Sequence, residues 1–392
     1  MKKMKRFFFG AFGLLALASC SNDELTSVNR DGDEIAFSVV TNSATRAADV
    51  YCNNNKPSGF NVWATFNGQT YINGDNVQYQ GGKWVNTSGT RYWPDGEVSF
   101  FAHVNAGDAF NWNGGQPKIE NFTVGTDVAT QQDLLYAVKT ASKGTDGKAE
   151  LNFRHALSQI VFQAKNTNPN LYVEISGVSV CKVKNQGTFT YPTDDTSDKV
   201  GEHNDGASID YSTQKWGSWS TNGTQQYDVT FNAVQLNGSK TATSVSLTNT
   251  NETAKAYDKV MLLLPQSSTK WDVGTNATTG KPEDQTGTYF LVKCQIYNVA
   301  GTTVNKNTDV CLWGNGGAED VAIPVALNWE QGKKYIYTFV FGDGNGGYDP
   351  DPDPDDPDPK PTPVLVPITF EVTVDDFVPI GNQDIEMDKP NA

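Results

Sequence analysis

Short segments in which large apolar residues occupy every second position recur along this chain of 392 residues, and turns rich in glycine and asparagine separate them. This alternation places the apolar side chains on one face of a β-strand. Clear examples lie at residues 35–40, 60–66 and 333–341. Charged residues make up 19% of the chain and aromatic residues 11%, a balance that favours strands over helices. The sequence therefore predicts an all-β protein built from β-sandwiches.

The length predicts two domains, at roughly 100 to 200 residues each. A polar, glycine-bearing loop at residues 142–148 suggests the boundary, with an N-terminal β-sandwich at residues 35–149 and a C-terminal β-sandwich at residues 150–342. Aspartate and proline then alternate. Because proline fixes φ and the aspartates repel one another, residues 343–363 are predicted to form a stiff, extended spacer. Residues 364–392 follow and contain one further strand.

The first 19 residues have the pattern of a signal peptide. A cationic start precedes an apolar stretch of about eleven residues, which is too short to span a membrane. Leu17-Ala18-Ser19-Cys20 resembles the lipobox of a bacterial lipoprotein, which predicts lipid on Cys20 after cleavage; an ordinary cleavage site that ends in cysteine is the alternative. Residues 20–34 would form a tether. Its acidic start, residues 21–24, resembles a surface-export signal or is simply a solvated segment.

The formal net charge is −15, and it becomes −19 once the four cations of the signal peptide are removed. An acidic surface of this size repels phosphate, so we expect no nucleic-acid partner.

Motifs for catalysis, metals and cofactors are absent from the sequence. The cysteines are widely spaced, the three histidines form no metal-binding pattern, and no nucleophile elbow or phosphate-binding loop occurs. We therefore predict no enzyme, no metal and no cofactor. Four cysteines lie beyond the lipobox, and the sequence leaves open whether any of them pair: Cys52, Cys181, Cys294 and Cys311.

Two tryptophans, Trp216 and Trp219, lie in a polar segment and could stack on sugar rings. Packing at the edge of a core is the more common use of tryptophan, and both interpretations stay open here.

The first and last strands present the same apolar series in the same order. The first has Ile35, Phe37 and Val39, and the last reads Ile368-x-Phe370-x-Val372-x-Val374. Side chains that fill alternate pockets are the basis of recognition by strand addition, so a groove that accepts one strand could accept the other. Ordinary pairing of each strand within its own chain is the alternative. Arg46 follows the first strand in a segment of small residues, the kind of site that proteases cut.

Several further segments, together with the lipobox at Cys20, resemble the fimbrillin family of pilus subunits. They are residues 133–137 (DLLYA), 151–158 (LNFRHALS), 261–266 (MLLLPQ) and 329–337 (WEQGKKYIY). The resemblance implies two transthyretin-like β-sandwiches, other pilus subunits as partners and a role in adhesion to a host or bacterial surface ligand. It also implies a surface-exposed lipoprotein of the outer membrane that is assembled into a fimbrium.

The same resemblance implies how the subunit assembles. Trimming between Arg46 and Ala47 by an arginine-specific protease would remove the strand of Ile35, Phe37 and Val39, and the strand of another subunit would replace it. Four residues would form this donor strand: Ile368, Phe370, Val372 and Val374. The spacer departs from a compact major pilin, so stalk, tip and anchor roles stay open. A monomeric surface lipoprotein that binds a glycan or a host protein is the alternative.

Overall fold

A computed structural model describes residues 33–41, 57–144, 147–194, 215–248, 259–273, 280–301, 303–352 and 361–376. Within these residues the protein is all-β, as predicted, and no α-helix occurs among them. The strands, in chain order, are β1 (Ala36–Thr41), β2 (Gly59–Phe66), β3 (Gln69–Gln80), β4 (Lys83–Asn86), β5 (Val98–Val104), β6 (Phe110–Asn111), β7 (Lys118–Thr123), β8 (Leu135–Ala141), β9 (Lys148–His155), β10 (Ser158–Asn166), β11 (Leu171–Val183), β12 (Gln186–Thr190), β13 (Ser218–Asn222), β14 (Gln225–Asn237), β15 (Val245–Ser246), β16 (Met261–Leu263), β17 (Ser267–Ser268), β18 (Tyr289–Asn298), β19 (Val310–Trp313), β20 (Glu319–Pro324), β21 (Leu327–Asn328), β22 (Lys333–Tyr348) and β23 (Pro363–Asp376).

Local turn chemistry explains the hairpin of β2 and β3. Phe66 pairs with Gln69, so only two residues connect the strands. Asn67 and Gly68 both have positive φ, at 49° and 74°. A two-residue turn of this kind matches the twist of the strands that it joins, and asparagine followed by glycine is its preferred sequence.

Seven strands form the N-terminal sheet in the order β1-β9-β8-β5-β2-β3-β4. One face carries a core to which all seven strands contribute. β1 supplies Phe37 and β4 supplies Trp84, and both aromatic rings pack against Phe60 of β2. The two edges of the sheet thus contribute to one core, which the sheet curls around.

Ten strands form the C-terminal sheet. Its main path is β14-β11-β18-β20-β22-β10-β15, with β16, β19 and β23 attached beside β10, β18 and β22 respectively. Its apolar face builds a second and larger core. That core also takes in Phe101, Tyr136 and Val138 from the second face of the N-terminal sheet, and Ile119 and Phe189 from a four-stranded sheet of β13, β12, β7 and β6. The N-terminal sheet is therefore buried on both faces over part of its area.

The predicted loop lies between β8, which ends at Ala141, and β9, which begins at Lys148, and these two strands are neighbours in one sheet. β9 extends to His155, past the domain boundary predicted between residues 149 and 150. The division into two domains stays a prediction.

The structure differs from the sequence prediction at the aspartate-proline segment. Residues 343–348 belong to β22, and β23 begins at Pro363. The Asp349 N–H donates to the Thr362 carbonyl at 2.9 Å, so the ends of this segment lie side by side. β23 pairs with β22 instead of standing apart from the body. The physical reason is that β22 offers a backbone edge, which composition alone does not reveal.

Candidate strand-exchange site

The first strand, β1, lies at one edge of the N-terminal sheet and pairs in parallel with β9, with Phe37 opposite Ala149 and Val39 opposite Leu151. Three apolar side chains of this segment enter the N-terminal core: Ile35 is 3% exposed, Phe37 2% and Val39 2%. Burial of each such side chain stabilises its position by about 1.5 to 3 kcal/mol. The residues predicted to form the displaced strand are thus buried core residues at a sheet edge.

Phe37 occupies an aromatic environment. Its ring meets Phe60 edge-on at 5.8 Å between centroids and Phe100 edge-on at 6.1 Å. Edge-to-face pairs of this type add about 0.5 to 1.5 kcal/mol beyond area burial. We define the β1 groove as the edge of β9, the rings of Phe60 and Phe100, and the backbone of residues 91–93. Removal of β1 would leave this groove apolar and open.

The N-terminal end of the β1 segment is held on a second side. The Ile35 N–H donates to the Arg91 carbonyl at 2.8 Å, and the Trp93 N–H donates to the Asp33 carbonyl at 2.9 Å. The indole N–H of Trp93 also donates to the Gly147 carbonyl at 2.8 Å. The side chains of Lys143 and Asp33 form an ion pair next to these bonds. Residues 33–36 are therefore fixed between two backbone segments.

Arg91, which accepts the bond from Ile35, is itself held in place. Its guanidinium donates to both carboxylate oxygens of Asp75, at 2.7 and 2.8 Å, and Asn86 donates to the same carboxylate at 2.8 Å. Burial acts to raise the pKa of Asp75, but the hydrogen bonds from Arg91 and Asn86 outweigh it and hold this pKa below its usual value. A two-pronged bond of this kind fixes orientation as well as charge.

The residues around this end of the groove, Asp75, Arg91 and Trp93, were not predicted from the sequence. They lie in separate segments, and the only local signal was the turn at Pro94, Asp95 and Gly96. Their convergence depends on the fold.

The last strand, β23, pairs antiparallel with β22, and Phe370 lies opposite Phe339. Burial falls steadily along its inward-facing side chains. Ile368 is fully buried and Phe370 partly buried, whereas Val372 is 48% exposed and Val374 51% exposed. Along the inward-facing side of the predicted donor strand, Ile368 therefore lies in the core, and Val372 and Val374 lie at the surface.

Two contacts attach the middle of β23 to the C-terminal core. The Phe370 ring lies 5.9 Å from Phe290 and 5.9 Å from Tyr337. On the opposite face, Lys165 donates to the Glu371 carboxylate at 2.8 Å, an exposed pair that stabilises the strand little. Both terminal strands thus pair within their own chain in this structure.

Three predicted site residues, Cys20, Arg46 and Ala47, lie outside the residues that the structure describes.

The sequence model of the fimbrillin-like family matches residues 45–352, which is most of the chain. The chain belongs to the fimbrillin-like family. Both β1, which ends at Thr41, and β23, which begins at Pro363, lie outside the matched range.

Two solved structures similar to this fimbrillin-like chain come from Bacteroides species. A fimbrial protein from Bacteroides vulgatus is 11% identical, with 87% of this chain and 98% of that chain covered and a TM-score of 0.49. A protein from Bacteroides uniformis, named for a proposed role in cell adhesion, is 13% identical, with 89% and 99% covered and a TM-score of 0.42. No curated protein sequence matches the chain significantly.

Two of the segments that carry the family resemblance meet at a buried pair. His155 Nδ1 lies 2.7 Å from a carboxylate oxygen of Asp133, and the two side chains are 3% and 0% exposed. Nearby, the Tyr136 hydroxyl accepts a bond from the Gly217 N–H at 3.1 Å and lies 3.4 Å from Gln331 Oε1. These residues connect the N-terminal sheet to the start of β22 and have a structural role.

The other two family-like segments, residues 261–266 and 329–337, contact each other through their backbones. The backbones of Gln266 and Trp329 exchange hydrogen bonds at 3.0 and 2.8 Å. The Ser158 hydroxyl donates to the Glu330 carbonyl at 2.9 Å. The family-like segments are thus joined to one another across the fold.

The two tryptophans considered for sugar binding have different environments. Trp219 donates its indole N–H to the Ala156 carbonyl at 2.7 Å and packs against Phe189 at 5.2 Å. Trp216 is 40% exposed. Stacking on a sugar stays a prediction, and Trp219 is already used in packing.

Across the described ranges, no group of three or more metal-binding side chains occurs. The helical turns in those ranges are also too short to cross a membrane.

Proposed function

We propose that this fimbrillin-like chain is a pilus subunit that assembles by donor-strand exchange and serves adhesion. One observation carries the proposal: an edge strand, β1, fills an apolar groove with three side chains whose series recurs in β23. Strand addition to an open sheet edge uses backbone bonds for affinity and alternate side chains for specificity. In the assembled pilus, β23 of one subunit would occupy the β1 groove of the next.

Trimming after Arg46 would make the groove available. Arg46 lies between β1 and β2 in the sequence, so a cut there ends the covalent link between β1 and the body. Two other arginines are constrained by the fold: Arg154 is 1% exposed, and the partly exposed side chain of Arg91 is bound to Asp75. A cut at Arg30 would leave β1 attached. Arg46 is thus the arginine whose cleavage releases the strand.

The lipobox supports the route to the surface. Lipid on Cys20 would carry the subunit to the outer membrane, where it is displayed. Cleavage between Arg46 and Ala47 would then remove the lipid together with residues 20–46, and strands from neighbouring subunits would hold the trimmed subunit in the fimbrium.

The first test is treatment of the full chain with an arginine-specific protease. We expect a new N-terminus at Ala47 and polymers that withstand mild denaturant, because the exchanged strand is buried. Arg46→Gln should abolish both results, and Arg30→Gln, the matched control, should abolish neither. A chain that is cut at Arg46 and stays monomeric contradicts the proposal.

The second test is designed to prevent β23 from acting as the donor strand. Val372→Asp with Val374→Asp places charge on the apolar face of β23 at positions that are half exposed in the subunit, so its fold should persist. We expect polymers to be lost after trimming, because a charge in the β1 groove would be buried without a partner. Thr373→Asp adds a charge to the opposite face of the same strand and should leave polymers intact. Polymerisation of the double variant would exclude β23 as the donor.

A further inference from the structure

The β1 segment is held unequally along its length. Residues 33–36 bond to residues 91–93 on one side and to Gly147 on the other. From Phe37 to Thr41, the backbone bonds of the described residues run to β9 alone. Within the described residues, fewer backbone bonds therefore hold the C-terminal end of β1, and this is also the end nearest to Arg46 in the sequence.

β23 is held unequally as well. Its first half is anchored by Val366 and Ile368, which are 2% and 0% exposed, whereas Val372 and Val374 are about half exposed. Backbone pairing with β22 is continuous from residue 368 to residue 376, so the difference lies in the side chains. Because the side chains of the second half bury less apolar surface, less burial is lost when this half detaches. It can present Val372 and Val374 to another molecule while Ile368 is still bound in its own subunit.

We propose that strand exchange is directional. The Val372–Val374 end of β23 from a second copy of this chain docks first, at the Val39–Thr41 end of the β1 groove. It then displaces β1 toward Ile35, whose two-sided bonds break last. This inference rests on the proposed function and specifies the surface at which two copies first meet.

The order of the apolar side chains sets the direction. When β23 runs parallel to β9, as β1 does, Ile368, Phe370 and Val372 take the places of Ile35, Phe37 and Val39. Reversal of the strand would put Val372 in the place of Ile35 and Ile368 in the place of Val39. Only the parallel order places each side chain where one of the same type lies now. It also brings the exposed end of β23 to the loosely held end of the groove.

The test uses synthetic peptides of residues 363–376 and the full chain after cleavage at Arg46. Peptide association and dissociation rates are measured separately, because an early contact affects association and a late contact affects dissociation. For the Val372→Thr peptide, in which the changed residue takes the place of the buried Val39, we expect association about fivefold slower, the effect of roughly 1 kcal/mol of lost apolar contact. For the Ile368→Thr peptide we expect unchanged association and dissociation about fivefold faster. Thr373→Ser, on the outward face, is the matched control and should change neither rate.

The possible outcomes distinguish a failure of the directional inference from a failure of donor-strand exchange itself. Slower association with Ile368→Thr, or equal effects of both substitutions on association, overturns the directional inference and leaves donor-strand exchange standing. If the unmodified peptide does not bind the cut chain, both the proposed function and the direction fail.

Discussion

Phe37 is the largest side chain by which β1 enters the N-terminal core, and it lies between the rings of Phe60 and Phe100. His103 shows a different use of an aromatic environment. Its ring stacks on Trp63 at 5.2 Å and packs against Phe110 at 4.6 Å. The contacts of Phe37 bear on the attachment of β1, and the burial of His103 bears on the stability of the protein in acid.

We expect Phe37→Ala to loosen β1 without any cleavage. Loss of a buried phenylalanine weakens a core by about 3 to 5 kcal/mol, and here the cost falls on the attachment of an edge strand. The uncut variant should take up a peptide of residues 363–376, measured by fluorescence anisotropy. Ser38→Ala on the same strand is the control and should resemble the unmodified chain. Uptake by neither variant would mean that Phe37 does not retain the strand.

His103 should make the protein less stable in acid. Burial lowers the pKa of its imidazole from 6.5 to about 4. Between these values the unfolded chain binds a proton that the native chain excludes, so stability falls as the pH decreases through this window. The loss amounts to about 1.4 kcal/mol per pH unit, roughly 3 kcal/mol in all. His103→Phe should lose this part of the pH dependence in urea unfolding at pH 7.5 and 4.5, whereas Ser99→Ala should retain it.

At the scale of elements, β22 and β23 determine how the C-terminal half ends. The first part of β22 pairs with β10 on one side and β23 on the other, so it is an interior strand. The register of β22 shifts around Gly342 and Gly344, where φ is about 90° and glycine is favoured. β23 pairs only with β22 among the described strands.

Hydrogen exchange should reveal a gradient along β23. Among the residues of β23 that pair continuously with β22, amides of residues 372–376 should exchange faster than those of residues 368–371, because Val372 and Val374 are half exposed whereas Ile368 is buried. Peptide-resolved mass spectrometry on the uncut chain measures this difference. Uniform protection along the strand would argue against early release of its second half.

At the scale of the whole molecule, two apolar cores share the N-terminal sheet, and packing rather than cross-linking stabilises them in the described part. Cys181, Cys294 and Cys311 are free thiols. Cys181 and Cys294 are 1% and 0% exposed, and burial raises the pKa of both. They behave as small apolar residues of the C-terminal half.

Thiol labelling should therefore report on the integrity of the whole fold. In the native protein, we expect an alkylating reagent to modify Cys311 and to leave Cys181 and Cys294 unmodified until the protein unfolds. Mass spectrometry of the digested protein identifies the labelled positions. Rapid native labelling of Cys294 would show that the larger core opens locally.

The sequence was sufficient for features that depend on neighbouring residues. Alternation predicted β2 and the first part of β22, and asparagine followed by glycine at 67 and 68 explains the tight turn after β2. It missed β3, whose polar residues show no clear alternation and which forms because β2 and β4 pair with it. Residues 151–164 contain no glycine or proline that would indicate a break, but the chain leaves one sheet after His155 and enters another at Ser158.

For the candidate site, the sequence by itself determined the two apolar series, because an apolar residue at every second position is visible in a short stretch of consecutive residues. Only the tertiary structure decided where those strands lie. Pairing of β1 with β9 and of β23 with β22 depends on edges formed by distant segments. The same holds for the bonds that Arg91 and Trp93 make to the start of β1, since backbone groups far apart in sequence carry no local signal of their partners.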